Sequence, residues 1–320
     1  MGGQEVRAVY GPVPSWRLGL SLGVDLLLPP KTCTFNCVYC QLGRTARGVQ
    51  GPWEVEDYVK PEELRAELAK VDREVLNSVD WVTISGTGEP TLNPELSGAV
   101  KAIREVVGDK RLAVLTNSSL LHLEEVRRAL DPVDLVVAKL DAASNHTFTL
   151  VNRPIISLGV ERVVEGIRSL VHERGYGVAA QVMLLEDVND GEEHLRALAE
   201  RLRSLDIGLA YLSIPSRPPS ESHVKPPPSY KVDLAKRVFE EAGVKVKAFT
   251  EPAEMKSRTG LDEERALELI RRRPCRALDL VLCTGASEKE VIEVLERLVK
   301  KGLAAKKVYR GITFYEAAKH

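Results

Sequence analysis

From about residue 19 to 250, short apolar runs alternate with longer stretches whose apolar positions recur every three or four residues. The runs "LGVDLLL" (22–28), "WVTIS" (81–85), "RLAVLTN" (111–117), "DLVVAKLD" (134–141), "VAAQVMLL" (178–185) and "IGLAYLSI" (207–214) are short and mostly aliphatic, and are predicted strands. Predicted helices lie between them. Pro61 suits the first helical position of a segment with Leu64, Leu68, Val71 and Val75 on one face, and Asn93-Pro94 opens a second helix. "LEEVRRAL" (123–130) is a third. Ser157 is a candidate cap, and Gly175 a candidate stop, for a helix carrying Val163, Val164, Ile167, Leu170 and Val171, and a last one covers about 191–204. Six β-α steps of this length predict a parallel sheet, wound open or curled towards a barrel. In such sheets ligands bind at the carboxyl ends of the strands. The conspicuous residues fall there: a cysteine loop after the first strand, "GTGEPT" after the second, "NSS" after the third and "LDA" after the fourth.

Two segments break the alternation. "PSRPPSESHVKPPP" (215–228) is too proline-rich for a helix or central strand. It reads either as a stiff polyproline-like connection or as a loop over the carboxyl edge of the sheet, with Arg217 available to hold an anion. Beyond about residue 256, "LDEERALELIRRR", "ALDLVLCTG" and "SEKEVIEVLERLVKKG" predict three short helices, and "AAKKVYRGITFYE" predicts a hairpin turning near Arg310-Gly311. Ser287 with Glu290 forms a capping box and Gly302 a stop. Three helices and a hairpin resemble a winged helix, so the chain divides into an α/β domain over 1–255 and a winged-helix-like domain over 256–320. Residues 262–320 hold 13 Lys/Arg and 10 Asp/Glu, yet the would-be recognition helix carries four glutamates, poor electrostatics for a DNA backbone.

Composition narrows the picture only locally. Lysine plus arginine (45) nearly cancel aspartate plus glutamate (46), so overall charge selects no nucleic-acid partner. No apolar run is long enough to cross a bilayer and the start lacks a secretory layout, which predicts a cytosolic protein without a membrane partner. Five cysteines, three of them at Cys33, Cys37 and Cys40, are odd in number and too crowded for a disulfide framework. Thiolates favour zinc or iron-sulfur clusters, and structural zinc takes four ligands. Cys275 and Cys283 belong to the C-terminal helical region and offer no nearby fourth. A cubane needs only three: each cysteine takes one iron, and the fourth iron stays open to a small molecule.

The Cys-x3-Cys-x2-Cys loop, with Tyr39 before its last cysteine, resembles the signature of the radical S-adenosylmethionine (SAM) superfamily. The wider match of "VYGPVPSWRLGLSLGVD" (9–25), "VNRP" (151–154) and "SRPP" (216–219) resembles a group of Fe-S oxidoreductases in it, distantly similar to wyosine synthase, a tRNA-modifying enzyme. Trp16 and Leu20 stand where that group has arginine, while Arg17 and Arg44 remain. The resemblance implies a partial (β/α)6 radical SAM barrel holding one [4Fe-4S] cluster and SAM, with Cys33, Cys37 and Cys40 as ligands. It implies that Gly86, Thr87, Gly88 and Glu89 hold the SAM amino end, and that Asn117, Ser118 and Asp141 meet its methionyl and ribose parts. Read alone, these residues also suit turns and helix caps. The implied reaction is reductive SAM cleavage to a 5′-deoxyadenosyl radical, with an electron from a ferredoxin- or flavodoxin-like donor. Asn152, Arg153 and Arg217 are candidate substrate contacts, and an RNA or protein is a candidate substrate. Two alternatives stand beside this: a tRNA-modifying enzyme using the same radical route, and a redox-sensing regulator whose winged helix binds DNA. Cys283 reads as a buried small hydrophobe, and Cys275, beside three arginines, as either a low-pKa thiol or part of a solvated helix end.

Overall fold

The computed structural model describes residues 7–251 and 260–318. β1 (Val9–Ser15) and β2 (Gly19–Val24) form an antiparallel hairpin, and β3 (Thr32–Cys33) and β4 (Arg47–Gly48) a two-residue parallel ladder. α1 (Pro61–Leu68) and α2 (Arg73–Ser78) lead into β5 (Trp81–Ile84), then α3 (Leu96–Val107) and β6 (Leu112–Thr116). α4 (Glu124–Ala129), β7 (Leu135–Lys139), α5 (Asn145–Asn152), α6 (Val160–Arg174) and β8 (Val178–Met183) follow. α7 (Glu192–Ser204), β9 (Leu209–Ser213), α8 (Ser229–Glu241) and β10 (Lys245–Ala248) complete the series.

Eight strands form one sheet in the order β1-β2-β5-β6-β7-β8-β9-β10, parallel from β2 onwards, with helices supplying the crossovers. This is the expected partial barrel with two strands more than the six periods predicted. "VYGPVPS" hides β1 because two prolines interrupt its alternation; at a sheet edge their missing donors cost little. β10, "KVKA", is short and half charged, the composition of an opposite edge. The first parallel strand ends at Val24 rather than Leu28, so Asp25 begins the site loop.

Each strand feeds two layers. Leu22, Ile84, Leu112 and Val136 are fully or almost fully buried against the helices, each worth about 1.5–3 kcal/mol of burial. The alternate positions Val137, Ala179 and Tyr211 face inward and form a small separate cluster with Trp16. Trp16, at the β1–β2 turn, packs edge-on against Tyr211 at 5.9 Å and Phe249 at 5.6 Å between ring centroids. Beside it Lys247 Nζ donates to the Arg17 carbonyl at 2.8 Å. The hairpin turn therefore reaches from one sheet edge to the strand at the other.

The helix periods hold with two corrections: the helix expected from Pro61 through Val75 breaks after Leu68, Asp72 capping a separate α2, and Val71 lies between the two. α6 buries Val160, Val163, Val164, Ile167 and Leu170 and stops at Gly175, whose φ of 69° suits glycine. Ser157 is not its cap; the chain turns at Gly159, and the Asn145 carboxamide oxygen accepts the Val160 N–H at 2.8 Å instead. No described helix is long and apolar enough to cross a membrane.

The C-terminal elements appear in the expected order: α9 (Glu263–Arg272), α10 (Ala277–Thr284), α11 (Glu288–Lys300), then β11 (Ala304–Tyr309) and β12 (Ile312–Ala317) turning at Arg310-Gly311. Ser287 and Glu290 cap α11 reciprocally. Leu267, Ile270, Leu280, Val291, Leu295 and Leu298 form a core of their own, against which Val13 of β1 packs. Cys275 and Cys283 are buried in it, and burial pushes the Cys275 thiol up despite the neighbouring Arg273, which excludes the low-pKa reading. The boundary expected at 255/256 lies outside the described residues.

Candidate active site

The cysteine loop leaves β3 and is clamped from three sides. Asn36 N–H and Val38 N–H donate to the backbone of 151–153, and Ile155 N–H donates to the Thr34 carbonyl. The Ser220 hydroxyl, from the proline-rich segment, binds the Cys37 and Val38 carbonyls at 2.9 and 2.8 Å. That segment crosses the carboxyl edge of the sheet, and its residues 214–217 line the same cavity as the cysteines. The cavity has a volume of about 370 Å³ and two ends.

At one end, Cys33, Cys37 and Cys40 line the wall with Lys31, Tyr39, Gly86, Gly88, Glu89 and Asn117. Hydrogen-bond donors aim at the sulfurs: Phe35 N–H at 3.5 Å and Asn117 Nδ2 at 3.4 Å from Cys33 Sγ, and Asn152 Nδ2 at 3.7 Å from Cys37 Sγ. Burial pushes Cys33 up to about 12 and Cys37 up to about 11. Lys31 is 7 % exposed and sits among these thiols; burial alone would depress it, but Cys40, Cys33 and Cys37 outweigh this and its net shift is upward. Among the described residues no group of three His, Cys, Asp or Glu is arranged to hold a single metal ion. Three thiols spread along one wall, ringed by donors, suit a polynuclear cluster whose irons each take one sulfur. The site therefore fits the cluster on its own chemistry.

The glycine loop after β5 is fixed from beneath. A Cβ on Gly88 would lie 2.0 Å from the Thr32 carbonyl oxygen, so only glycine permits the contact in which Glu89 N–H donates to that oxygen at 3.2 Å. Thr87 turns away from the cavity and gives its N–H and hydroxyl to Asp25 at 2.9 and 2.6 Å. Glu89 is buried and accepts from Thr91, the Thr116 hydroxyl at 2.6 Å and Asn117 N–H at 2.6 Å; burial raises its pKa and these donors pull it back.

Asp141 stands behind the cavity wall rather than on it. Its Oδ2 accepts from the Tyr39 hydroxyl at 2.5 Å and Asn152 Nδ2 at 2.8 Å, its Oδ1 from Met183 N–H at 2.8 Å. It thus orients two groups that reach the thiols. Lys139 Nζ lies 4.9 Å over the Tyr39 ring. Ser118, at φ 69°, is fully buried away from the cavity. Arg153 also stays outside: it closes α5 in a left-handed conformation and pairs with Glu221 at 2.9 Å, while its neighbour Asn152, also behind the wall, reaches Cys37 Sγ and Asp141. Arg217 does line the cavity, but its guanidinium is held by Asp279 at 2.7 Å. Lys31, next-but-one before Cys33, was the nearest overlooked signal in the sequence.

The other end is walled by Trp16 and Arg17 of the hairpin turn, Arg217, and Arg272, Arg273, Arg276 and Asp279 of the C-terminal helices. Nothing in the local pattern around 272–276 indicated this position; the fold brings α9 and α10 over the barrel mouth. Arg272 pairs with buried Asp25 at 3.2 Å, so the loop that positions Thr87 is also tied to α9.

Residues 27–200 match the Radical SAM superfamily, and the chain belongs to it. It is an enzyme of that class, with a [4Fe-4S] cluster and SAM as its cofactors. It is 32 % identical over 311 residues to the UPF0026 protein of Helicobacter pylori strain J99, covering 96 % of this chain and 97 % of that one. A Brachyspira hyodysenteriae protein named GTPase Obg is 29 % identical over 318 residues, and the chain spans only 45 % of that protein's length. A protein of Rhodopirellula baltica named probable dual-specificity RNA methyltransferase RlmN is 25 % identical over 224 residues, 67 % of this chain and 57 % of that one. Among solved structures, a radical SAM methyltransferase from Sphaerobacter thermophilus shares the fold with a TM-score of 0.58 at 18 % identity, over 72 % of this chain and 65 % of that one. With the chain an enzyme of this class, the redox-sensing regulator is set aside.

Proposed function

We propose that Cys33, Cys37 and Cys40 each ligate one iron of a single [4Fe-4S] cluster, and that SAM occupies the cavity between them and the glycine loop. When bound and reduced, the cluster supplies the electron that cleaves SAM to methionine and a 5′-deoxyadenosyl radical, which takes a hydrogen atom from the substrate. Gly86 and Gly88 offer backbone close to the cluster-facing wall, and Glu89, Asp25 and Thr87 hold that backbone in place. Asn117 and Asn152 donate to the ligand sulfurs, which stabilises thiolate charge and raises the reduction potential. Tyr39, held by Asp141, forms part of the cavity wall beside Cys37. The observation that carries the reading is the convergence of three thiols, the Asn117 carboxamide and a glycine-lined backbone on one cavity at the strand ends, with Asn152 reaching Cys37 from behind the wall.

The test is anaerobic. The protein is reconstituted with iron and sulfide, reduced with dithionite and given SAM, and 5′-deoxyadenosine is quantified by mass spectrometry. Formation by the native protein and absence with Cys37→Ala is the expected result. A reconstituted cluster that neither binds nor cleaves SAM would sink the proposal. A second reading, an RNA substrate, is supported by the likeness to the protein named RNA methyltransferase. It predicts a mass change in tRNA or rRNA incubated with the reduced enzyme and SAM; unaltered RNA would rule it out.

A further inference from the structure

The arginine end of the cavity is not balanced. Five arginines line it: Arg17, Arg217, Arg272, Arg273 and Arg276. Three carboxylates answer them among the described residues. Asp25 pairs with Arg272 at 3.2 Å, Asp279 with Arg217 at 2.7 Å, and Glu251 with Arg276 at 2.7 Å, Arg276 also reaching Asp279 at 2.9 Å. Arg17 and Arg273 form no ion pair with any described carboxylate. Arg17 Cζ lies over the Trp16 ring, 4.6 Å from its centroid, and its Nε is buried without a hydrogen-bond partner. Burial lowers the Arg17 pKa to about 10, Tyr211 pulling it back and Arg273, which lines the same cavity, adding to the fall.

Both guanidinium groups are half-buried; Arg273 is steadied by Cys275, Cys283 and Asp279, whereas the buried Arg17 Nε has no partner, and buried donors are almost always satisfied, so an anion at this cavity would meet an open need. A guanidinium presents a planar fork that matches a phosphate oxygen pair. The excess of two positive charges matches one phosphate monoester, which carries nearly two negative charges at neutral pH. We propose that Arg17 and Arg273 bind the phosphate of a phosphomonoester substrate, so that the C-terminal helices complete the substrate site of the barrel. Arg217, Arg272 and Arg276, each fixed by a carboxylate, form the scaffold around it. This rests on the radical SAM reading for what lies at the other end of the cavity. The phosphate site itself does not need the cluster.

The experiment titrates inorganic phosphate into the full chain by calorimetry in phosphate-free buffer, first without cluster and then in the reconstituted enzyme with SAM. Saturable binding is expected in both, weakened at least about tenfold by Arg17→Ala and by Arg273→Ala, the loss of a charge-assisted pair of hydrogen bonds. Thermal unfolding distinguishes this from damage to the fold. Without phosphate the Arg17→Ala variant is expected to unfold at or above the native temperature, because an unpartnered cation has gone, and Arg273→Lys keeps the charge near Asp279 while losing the fork; with phosphate only the native protein gains fully. Three outcomes overturn the proposal: no binding, binding indifferent to both variants, or acetate bound as tightly as phosphate. Displacement of phosphate by SAM also overturns it, by giving the site to SAM. Because the first titration uses protein without cluster, its result is independent of whether SAM is cleaved.

Discussion

At the cysteine end of the cavity the three candidate ligands come from eight consecutive residues, whereas at the arginine end the guanidinium groups come from the hairpin turn, the proline-rich segment and the C-terminal helices. The first end is a loop held in place by its surroundings; the second exists only because remote segments meet. The difference predicts opposite failure modes. Damage to the loop removes chemistry and leaves the fold, while damage at the meeting point loosens the fold first.

The largest effect separates the two cleanly. Cys37→Ala is expected to abolish the cluster absorbance and 5′-deoxyadenosine formation while the urea unfolding midpoint of the protein without cluster stays close to native. A large drop in that midpoint would show that the loop carries the fold. Asp279→Ala is expected to do the reverse. Asp279 is 3 % exposed and holds both Arg217 and Arg276, so its loss leaves Arg217 without a carboxylate and Arg276 with Glu251 alone, and costs about 3 kcal/mol in urea unfolding.

The same carboxylate sets a pH dependence. Burial alone would raise its pKa, but Arg217 and Arg276 outweigh this and hold it well below the usual range. A folded-state pKa below the unfolded one gives stability that is complete above the unfolded value near pH ~4 and lost as pH falls towards the folded value. Asp279→Asn should therefore flatten the dependence of the unfolding midpoint on pH below about 4; equal slopes for both proteins would contradict the pairing. Next in size, Gly88→Ala places a Cβ against the Thr32 carbonyl and is expected to cost about 1–3 kcal/mol by forcing the loop off β3. Unchanged stability and SAM affinity would refute that tight fit. The smallest effect belongs to Tyr39→Phe, at about 1 kcal/mol, because Asp141 keeps Asn152 and Met183 as donors. A loss as large as that of Asp279→Ala would make the Tyr39 hydroxyl indispensable.

Much of the fold was legible from period alone. The six runs from 22 to 214 all contribute strands to the sheet, and all three C-terminal helices and the hairpin fall where their caps and stops place them. What escaped was irregular in composition: β1 with its prolines, β10 with its lysines, and α8 directly after a proline-rich stretch. In the site, the three cysteines, Tyr39, Gly86, Gly88, Glu89, Asn117 and Arg217 come to one cavity, whereas Thr87, Ser118, Asp141 and Arg153 do not face it. Their side chains were misplaced for one reason. A residue after a strand end can point into the cavity or beneath it, and one-residue differences decide which, as between Thr87, which turns to Asp25, and its neighbours Gly86 and Gly88, which line the cavity.

By itself the sequence determined the parallel β/α succession, because apolar periodicity is a local property, and the cluster chemistry, because three thiolates within eight residues have few other uses. Only the tertiary structure decided that Trp16 packs on the inward-facing Tyr211, that Asp141 works through Tyr39 and Asn152, and that the C-terminal helices bring Arg273 to the cavity that Arg17 lines. Those outcomes depend on which distant surfaces become buried together, and the cost of burying an unpaired charge is felt only once they meet.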